Sequence, residues 1–329
     1  MSGLGELRVV LKRGSRAGRV GWRGRNEWSG YLFLTPWIVG ILGITIIPIF
    51  ASLYLSFTNY RLTRRSAPGW IGLENYRRLF EDDNWLDSVW TTVRYVIFGV
   101  PLQLLAALGL AVLLNRGMRG LAFYRSVFYL PSLLGGSVAV AILWRQMFGF
   151  NGLFNAFLAW KPSLFGTTLP SLADIFGYQA ISWIADPKTA LSMVILLHVW
   201  TFGSPMIIFL AGLRQIPEMY YEAASVDGAT RWRQFRSITL PLLSPIVFFN
   251  LVLQTIGAFQ SFTQAFIISG GTGQPSNELL FYGLNLYKEG FGQFRMGYAS
   301  AMAWLLLATI AAVTALFFAT SRFWVFYDD

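Results

Sequence analysis

The sequence predicts an all-α integral membrane protein with six transmembrane helices, and three observations carry that prediction. Of the 329 residues, 55% are hydrophobic and only 13% are charged, about half the roughly 25% of a soluble domain. Six apolar runs reach the ~20 helical residues that cross a ~30 Å hydrocarbon core. Those runs hold no Asp, Glu or Lys, and Arg145 is their only arginine. The composition excludes intrinsic disorder. It also leaves too little charge to cover a water-soluble two-domain enzyme, and the mean hydropathy of +0.50 agrees.

The chain opens on a polar segment, residues 1–29, with Arg8, Lys12, Arg13, Arg16, Arg19, Arg23 and Arg25. A basic arm can bind nucleic acid or lipid headgroups. The simpler reading is a cytoplasmic anchor obeying the positive-inside rule, with no nucleic-acid partner. The first run, 31–57, is far longer than a signal-peptide core, so it reads as an uncleaved first span. Its Pro36 and Pro48 are tolerated in a membrane helix. The second run is 95–114. The third is 126–148, with Arg145 in its last turn, where a long cation can snorkel. The fourth, fifth and sixth are 190–213, 246–268 and 298–320.

With the N-terminus inside, the cytoplasmic segments hold a net charge of +8 and the external ones +2, out of +10 in all. The bias puts both termini in the cytoplasm. The expected organisation is a basic segment 1–29, a six-helix domain 30–322 and a tail 323–329. The external connections 58–94, 149–189 and 269–297 are long. A short outer helix is expected at 73–80. The stretch 161–185 either caps the pore or is a surface insertion.

Several chemistries are excluded by count. There is no cysteine, hence no disulfide, thiolate nucleophile or Cys-ligated metal. His198 is the sole histidine, which rules out a multi-histidine metal centre. None of the four lysines follows a glycine, so there is no phosphate loop. No catalytic group and no bound cofactor or metal are expected in this chain. If ATP drives it, another chain hydrolyses that ATP.

The loop between the fourth and fifth runs, 214–244, carries the mechanism. Pro217 suits the start of a helix, and Glu218 and Glu222 suit the positive end of its dipole. Asp227-Gly228 is a stop, with Gly228 free to turn left-handed. A second helix is expected over 230–238, with Pro241 breaking the chain before the fifth span. Ala223 and Ala224 leave the first helix smooth enough for close approach to a partner.

The pattern Glu222-Ala223-Ala224, three residues, Gly228, nine residues, Ile238, one residue, Leu240-Pro241 resembles the EAA loop of ABC importer permeases, with every fixed position filled. The stretches YLFLTPWIVG, IGLENYRRLF, PLQLLAALGLAVLLNR, WIADPKTA and FRMGYASAMA extend the resemblance over nearly the whole chain after residue 28. It is nearest the longer-type subunit of the carbohydrate-uptake group, which includes the maltose and glycerol-phosphate permeases. Residues 154–181 depart from the family by their length. The resemblance implies a type I permease bundle in a prokaryotic cytoplasmic membrane. It implies that Glu222, Ala223, Ala224, Asp227, Gly228 and Ala229, with Pro241 closing the motif, seat a coupling helix in a cytoplasmic ATPase subunit. It further implies a second, different permease subunit, two ATPase domains holding ATP and Mg, and an external sugar-binding protein.

A sugar needs hydrogen-bonding groups along its route. Asn250, Gln254, Gln260, Ser261, Thr263 and Gln264 interrupt the fifth run, and such polar groups face a bundle interior or a cavity. On a continuous helix Gln260, Thr263 and Gln264 share a face. Resemblance to maltose permeases implies a sugar pathway at Phe259, Gln260, Ser261, Thr263 and Gln264, with Trp200, Gly203 and Met206 on the fourth span. The competing reading is interhelical hydrogen bonding, worth ~0.6 kcal/mol per bond; it is preferred for Asn250 and Gln254. His198 lacks an acid partner and reads as a hydrogen-bonded packing residue rather than a proton relay. The alternative function is an ion-coupled secondary sugar transporter, but such proteins place acids near the midplane, and here all 16 lie outside the runs.

Overall fold

The computed structural model describes residues 27–63, 68–115, 120–161, 163–164, 167–168, 170–175, 177 and 179–326. The seven cations of the basic N-terminal segment, Arg116, Arg119 and residues 327–329 lie outside the described residues. The chain divides into two compact units, Met1–Ala51 and Ser52–Asp329.

In the first unit α1, Glu27–Gly40, passes through a widened π turn, Ile41–Ile46, into α2, Ile47–Ser56, which continues into the second unit. Thr35 returns its hydroxyl to the Tyr31 carbonyl at 2.8 Å. Pro48 follows the π turn by two residues. Proline has no N–H and crowds the carbonyl four residues back; a π turn just ahead shifts that register and lets the helix continue.

The second unit is built around α4, Asp83–Leu114, which is capped by the Asp82 carboxylate accepting from the Asn84 amide. Val96, Val100, Leu104, Ala107, Ala111 and Leu114 form one buried stripe at three- and four-residue spacing. α9, Ala190–Trp200, α10, Gly203–Leu213, and α13, Leu240–Phe259, pack against α4, bringing Val194, Leu197, Phe209, Leu210 and Leu243 into the same core.

Among the described residues, four helices are long and apolar enough to cross a membrane, and the total is six when each of two bent pairs is one span. The second span starts twelve residues before the expected one, because Asp83–Arg94 is an amphipathic extension whose charges end the apolar run. The third span is not a straight helix. α5, Leu121–Leu134, and α6, Val138–Met147, meet at 95° across Gly135–Ser137. The fourth bends by 43° between α9 and α10. Pro241 does not break the chain either. α12, Arg231–Gln234, runs through a π turn, Phe235–Thr239, straight into α13. The arrangement repeats that at Pro48, a π turn two residues ahead of the proline. The last span is α16, Met296–Ser321.

The described parts of the connections 58–94, 149–189 and 269–297 fold on the span ends. The short helix expected at 73–80 forms as α3, Glu74–Phe80. Asn75 ties it down by donating to the Ser56 and Thr58 carbonyls at 2.8 and 2.9 Å. α7, Leu153–Ala159, a two-residue hairpin (β1 Ser163–Leu164, β2 Thr167–Thr168) and α8, Leu172–Ile175, precede the fourth span. α14, Thr263–Ile268, closes the fifth span, and α15, Tyr282–Tyr287, lies in the connection after it. The Tyr282 hydroxyl donates to the Met302 carbonyl at 2.8 Å and accepts from the Trp85 indole at 3.2 Å. Burial pushes that phenol up to about 12, with the Trp85 hydrogen bond opposing.

Candidate functional site

The loop at 214–244 forms a compact knob. α11, Glu218–Val226, starts after Pro217 in extended conformation and carries Glu218 in its first turn. Gly228 has φ +75°, in the left-handed region that favours glycine. Its amide donates to the Ser225 carbonyl at 3.1 Å, and the Ala229 amide donates to Ala224 at 2.9 Å, closing the carbonyls at the helix end. The Thr230 hydroxyl then accepts from the Arg233 amide and starts α12.

Three contacts join the two arms. Gln234 donates to the Ser225 hydroxyl at 2.9 Å and to the Ala229 carbonyl at 3.2 Å. The hydroxyls of Tyr221 and Thr239 meet at 2.9 Å, so α11 is bonded directly to the π turn that opens the fifth span. Glu222, Ala223, Asp227 and Gly228 are exposed, while Ala224, Ala229 and Pro241 are half-buried. Met219 and Val226 stand beside them, 65% and 88% exposed. Two carboxylates, Glu222 and Asp227, among small and apolar exposed residues suit docking against a protein groove.

Within the bundle, three spans are interrupted at neighbouring places. The breaks fall at Gly135–Ser137, Thr201–Phe202 and Gln260–Phe262. Each frees backbone carbonyls that lipid cannot satisfy. Gln264 donates to the Gly135 carbonyl at 3.2 Å. Gln103, on α4, donates to the Thr201 carbonyl at 3.3 Å and to its hydroxyl at 3.0 Å. Glycine is required at Gly135, where a methyl would overlap the Thr201 side chain. Gly203 lies against the α5 backbone, and a methyl there would overlap the Phe128 carbonyl.

These breaks correct parts of the sequence reading. Gln260, Thr263 and Gln264 do not share one helical face, since Gln260 ends α13 and Thr263 and Gln264 begin α14. Asn250 is not interhelical glue. It donates to Ile246 one turn back at 3.0 Å, and its Oδ1 is buried without a partner. His198 packs against Tyr95, with ring centroids 5.1 Å apart, but its Nε2 has no hydrogen bond. Gly99 on α4 leaves no side chain in its way.

Among the predicted pathway residues, Gly203, Met206 and Phe259 are buried, and Trp200, Ser261, Thr263 and Gln264 are half-buried; Gln260 is exposed. None of these eight residues lines the cavities of about 500, 700, 840 and 1090 Å³ that open among the described residues. Gln103 is the polar residue that the sequence reading passed over. It stands alone in an apolar run, the same signal that singled out the fifth span. No cluster of metal-ligating side chains is present among the described residues.

Comparison with known proteins adds three findings. Residues 80–326 match the family model described as "Binding-protein-dependent transport system inner membrane component". The chain is 50% identical to the probable ABC transporter permease protein YesP of Bacillus subtilis (strain 168), over 93% of this chain and 94% of that protein. It is 31% identical to the lactose transport system permease protein LacF of Rhizobium radiobacter, over 89% and 94% of the two. Among solved structures, it resembles a chain of the bacterial alginate ABC transporter in complex with an alginate pentasaccharide-bound periplasmic protein. The TM-score is 0.67 at 21% identity, covering 90% of this chain and 95% of that one.

Proposed function

The chain belongs to the family of binding-protein-dependent transport system inner membrane components, and from that premise we propose that it is the longer-type permease subunit of an ATP-driven importer for a di- or oligosaccharide. It is a sugar-permease transport subunit rather than an enzyme. A second, different permease completes the pore. Two ATPase domains on other chains hold ATP and Mg, and an extracytoplasmic binding protein delivers the sugar. The relative that transports lactose and the structural neighbour crystallised with a pentasaccharide-bound protein support this substrate class. Both termini and the 214–244 loop face the cytoplasm of a prokaryotic cell, as the +8 and +2 charge split expects.

The observation that carries the coupling role is the knob itself. Glu222, Ala223, Asp227 and Gly228 are presented on its surface, and Tyr221 and Gln234 bond it to the fifth span. Closure of the ATPase pair moves α11 as a rigid body and biases a two-state bundle. The ATPase need only bind one bundle state better than the other. Gln260, Ser261, Thr263 and Gln264, with Trp200, line the sugar route once the partner permease closes the other half, and the buried Phe259, Gly203 and Met206 pack behind them.

The test is purification of the importer with its ATPase. The Glu222→Ala variant is expected to lose ATPase association and sugar uptake while the permease keeps its thermal unfolding midpoint. Wild-type association and uptake in that variant overturn the coupling assignment.

A further inference from the structure

A cavity of about 700 Å³ opens at the end of the fifth span far from the coupling loop, between α6, the end of α14 and the WIADP stretch. Its size lies within the range of small-ligand sites. Its polar wall consists of Arg145, Gln146, Ser182, Ser269 and Gln274, and no Asp or Glu lines it.

Arg145 is the single charge within the six apolar runs, and it does more here than reach for water. Its Nη1 donates to the Ile267 carbonyl near the end of α14 at 3.4 Å. That single contact leaves most of its five donors unused, and Arg145 is itself exposed. Arg145 has no carboxylate partner among the described residues. Asp186, the acid nearest the wall in sequence, accepts from the Lys188 amide at 2.8 Å. Glu278, beyond Gln274, is paired with Arg94 at 2.8 Å.

A guanidinium without a carboxylate partner, beside two primary amides and a hydroxyl, is a recognisable chemical combination. The planar fork of arginine matches a carboxylate with two parallel hydrogen bonds. Amides and hydroxyls match the donor and acceptor hydroxyls of a pyranose. The geometry points to a carboxylate-bearing saccharide as the ligand of this cavity, with Arg145 on the carboxylate and Gln146, Ser182 and Gln274 on the hydroxyls. This inference rests on the sugar-importer reading and narrows its substrate to acidic sugars at the outer mouth.

The test uses the complete permease pair with its ATPase in nanodiscs, titrated calorimetrically with digalacturonate and with its neutral counterpart galactobiose. Digalacturonate is expected to bind at least about tenfold tighter, a difference of ~1.4 kcal/mol. Arg145→Gln removes the preference and Arg145→Lys keeps part of it. Gln146→Glu leaves the Arg145–Ile267 contact in place and gives the guanidinium an internal carboxylate. It too is expected to remove the preference, and it serves if Arg145→Gln fails to assemble.

Equal affinity for the two sugars, no saturable digalacturonate binding, or a preference that survives in the assembled variants overturns the inference. The same preparation, with its binding protein, is assayed for saccharide-stimulated ATP hydrolysis. Stimulation by neutral sugars without a digalacturonate preference overturns only the acidic-sugar inference. No stimulation by any saccharide overturns the importer reading.

Discussion

In the 214–244 loop the informative residues stand on the surface. Glu222 and Ala223 are exposed, and Val226 is 88% exposed. In the broken spans they are turned inward. Gln103 is 2% exposed, and it and Gln264 spend their amides on backbone carbonyls of other helices. The difference follows from the solvent. Water satisfies the polar groups of the loop, so its side chains are free for a partner. Lipid satisfies nothing, so a helix break within the bundle requires polar side chains from elsewhere in the chain. One region leaves its polar groups to water, and the other bonds Gln103 and Gln264 into its own architecture.

The sharpest way to break this contrast is Gly228→Pro. Proline holds φ near −65° against the observed +75° and removes the amide bonded to Ser225, a strain of roughly 3 kcal/mol confined to the knob. Uptake and ATPase association should fall to background while the thermal unfolding of the bundle stays put. A shifted unfolding midpoint with intact uptake reverses the assignment.

A smaller effect, of opposite kind, is expected from Gln103→Leu. It strands the Thr201 carbonyl at a cost of about 1–3 kcal/mol. Gln264→Leu, at the Gly135 carbonyl, costs ~0.6–1.7 kcal/mol. Both should lower the unfolding midpoint in nanodiscs and leave ATPase association intact. Unchanged midpoints would mean that these amides are not architectural.

The smallest effect lies outside both regions. Asp174, beside the outer hairpin, has its carboxyl lowered to about 2, first by the Ser171 hydroxyl and then by Lys161 at 3.0 Å. A depressed folded-state pKa means the contribution is complete above the ordinary carboxylate value near 4. It is lost as pH falls through about 2. Hydrogen exchange followed from pH 5 to 2 should show α8 loosening in that window. Lys161→Ala should raise the folded-state pKa and so complete the loss at higher pH, and an end point that does not move excludes the lysine as a contributor.

The two regions also differ in what a linear reading reveals. The knob is local. Pro217, Glu218, Asp227, Gly228 and Thr230 act on neighbours within a few residues, so their spacing predicts both arms and the left-handed turn. The breaks are not local. Gly135-Gly136-Ser137 is a turn signal, but it sits within a run apolar enough to read as one helix. Its partner Gln264 lies 129 residues further on. Periodicity finds faces and cannot find donors on other helices. Pro241 misleads for a related reason. The rule that proline ends a helix assumes regular turns, and the π turn at Phe235–Thr239 removes the assumption. Met206 and Phe259 illustrate the remaining limit. Both are buried in the core of this chain, and a sequence does not show which apolar residues face a neighbour of the same chain and which face a lumen.

The unbroken passage from α12 into α13 has a mechanical consequence. At ~1.5 Å per residue, Arg231–Phe259 is a rod of roughly 44 Å, longer than the hydrocarbon core is thick, with the knob bonded to one end and its first joint at Gln260. For a rod of that length, a tilt of about 10° at the knob displaces the far end by ~8 Å, on the order of the width of a sugar ring. Leverage of this kind needs no relay of side chains through the bundle. A small rotation at one membrane face becomes a displacement of solute size at the other, and the stiffness of the segment around Pro241 sets how much of it arrives.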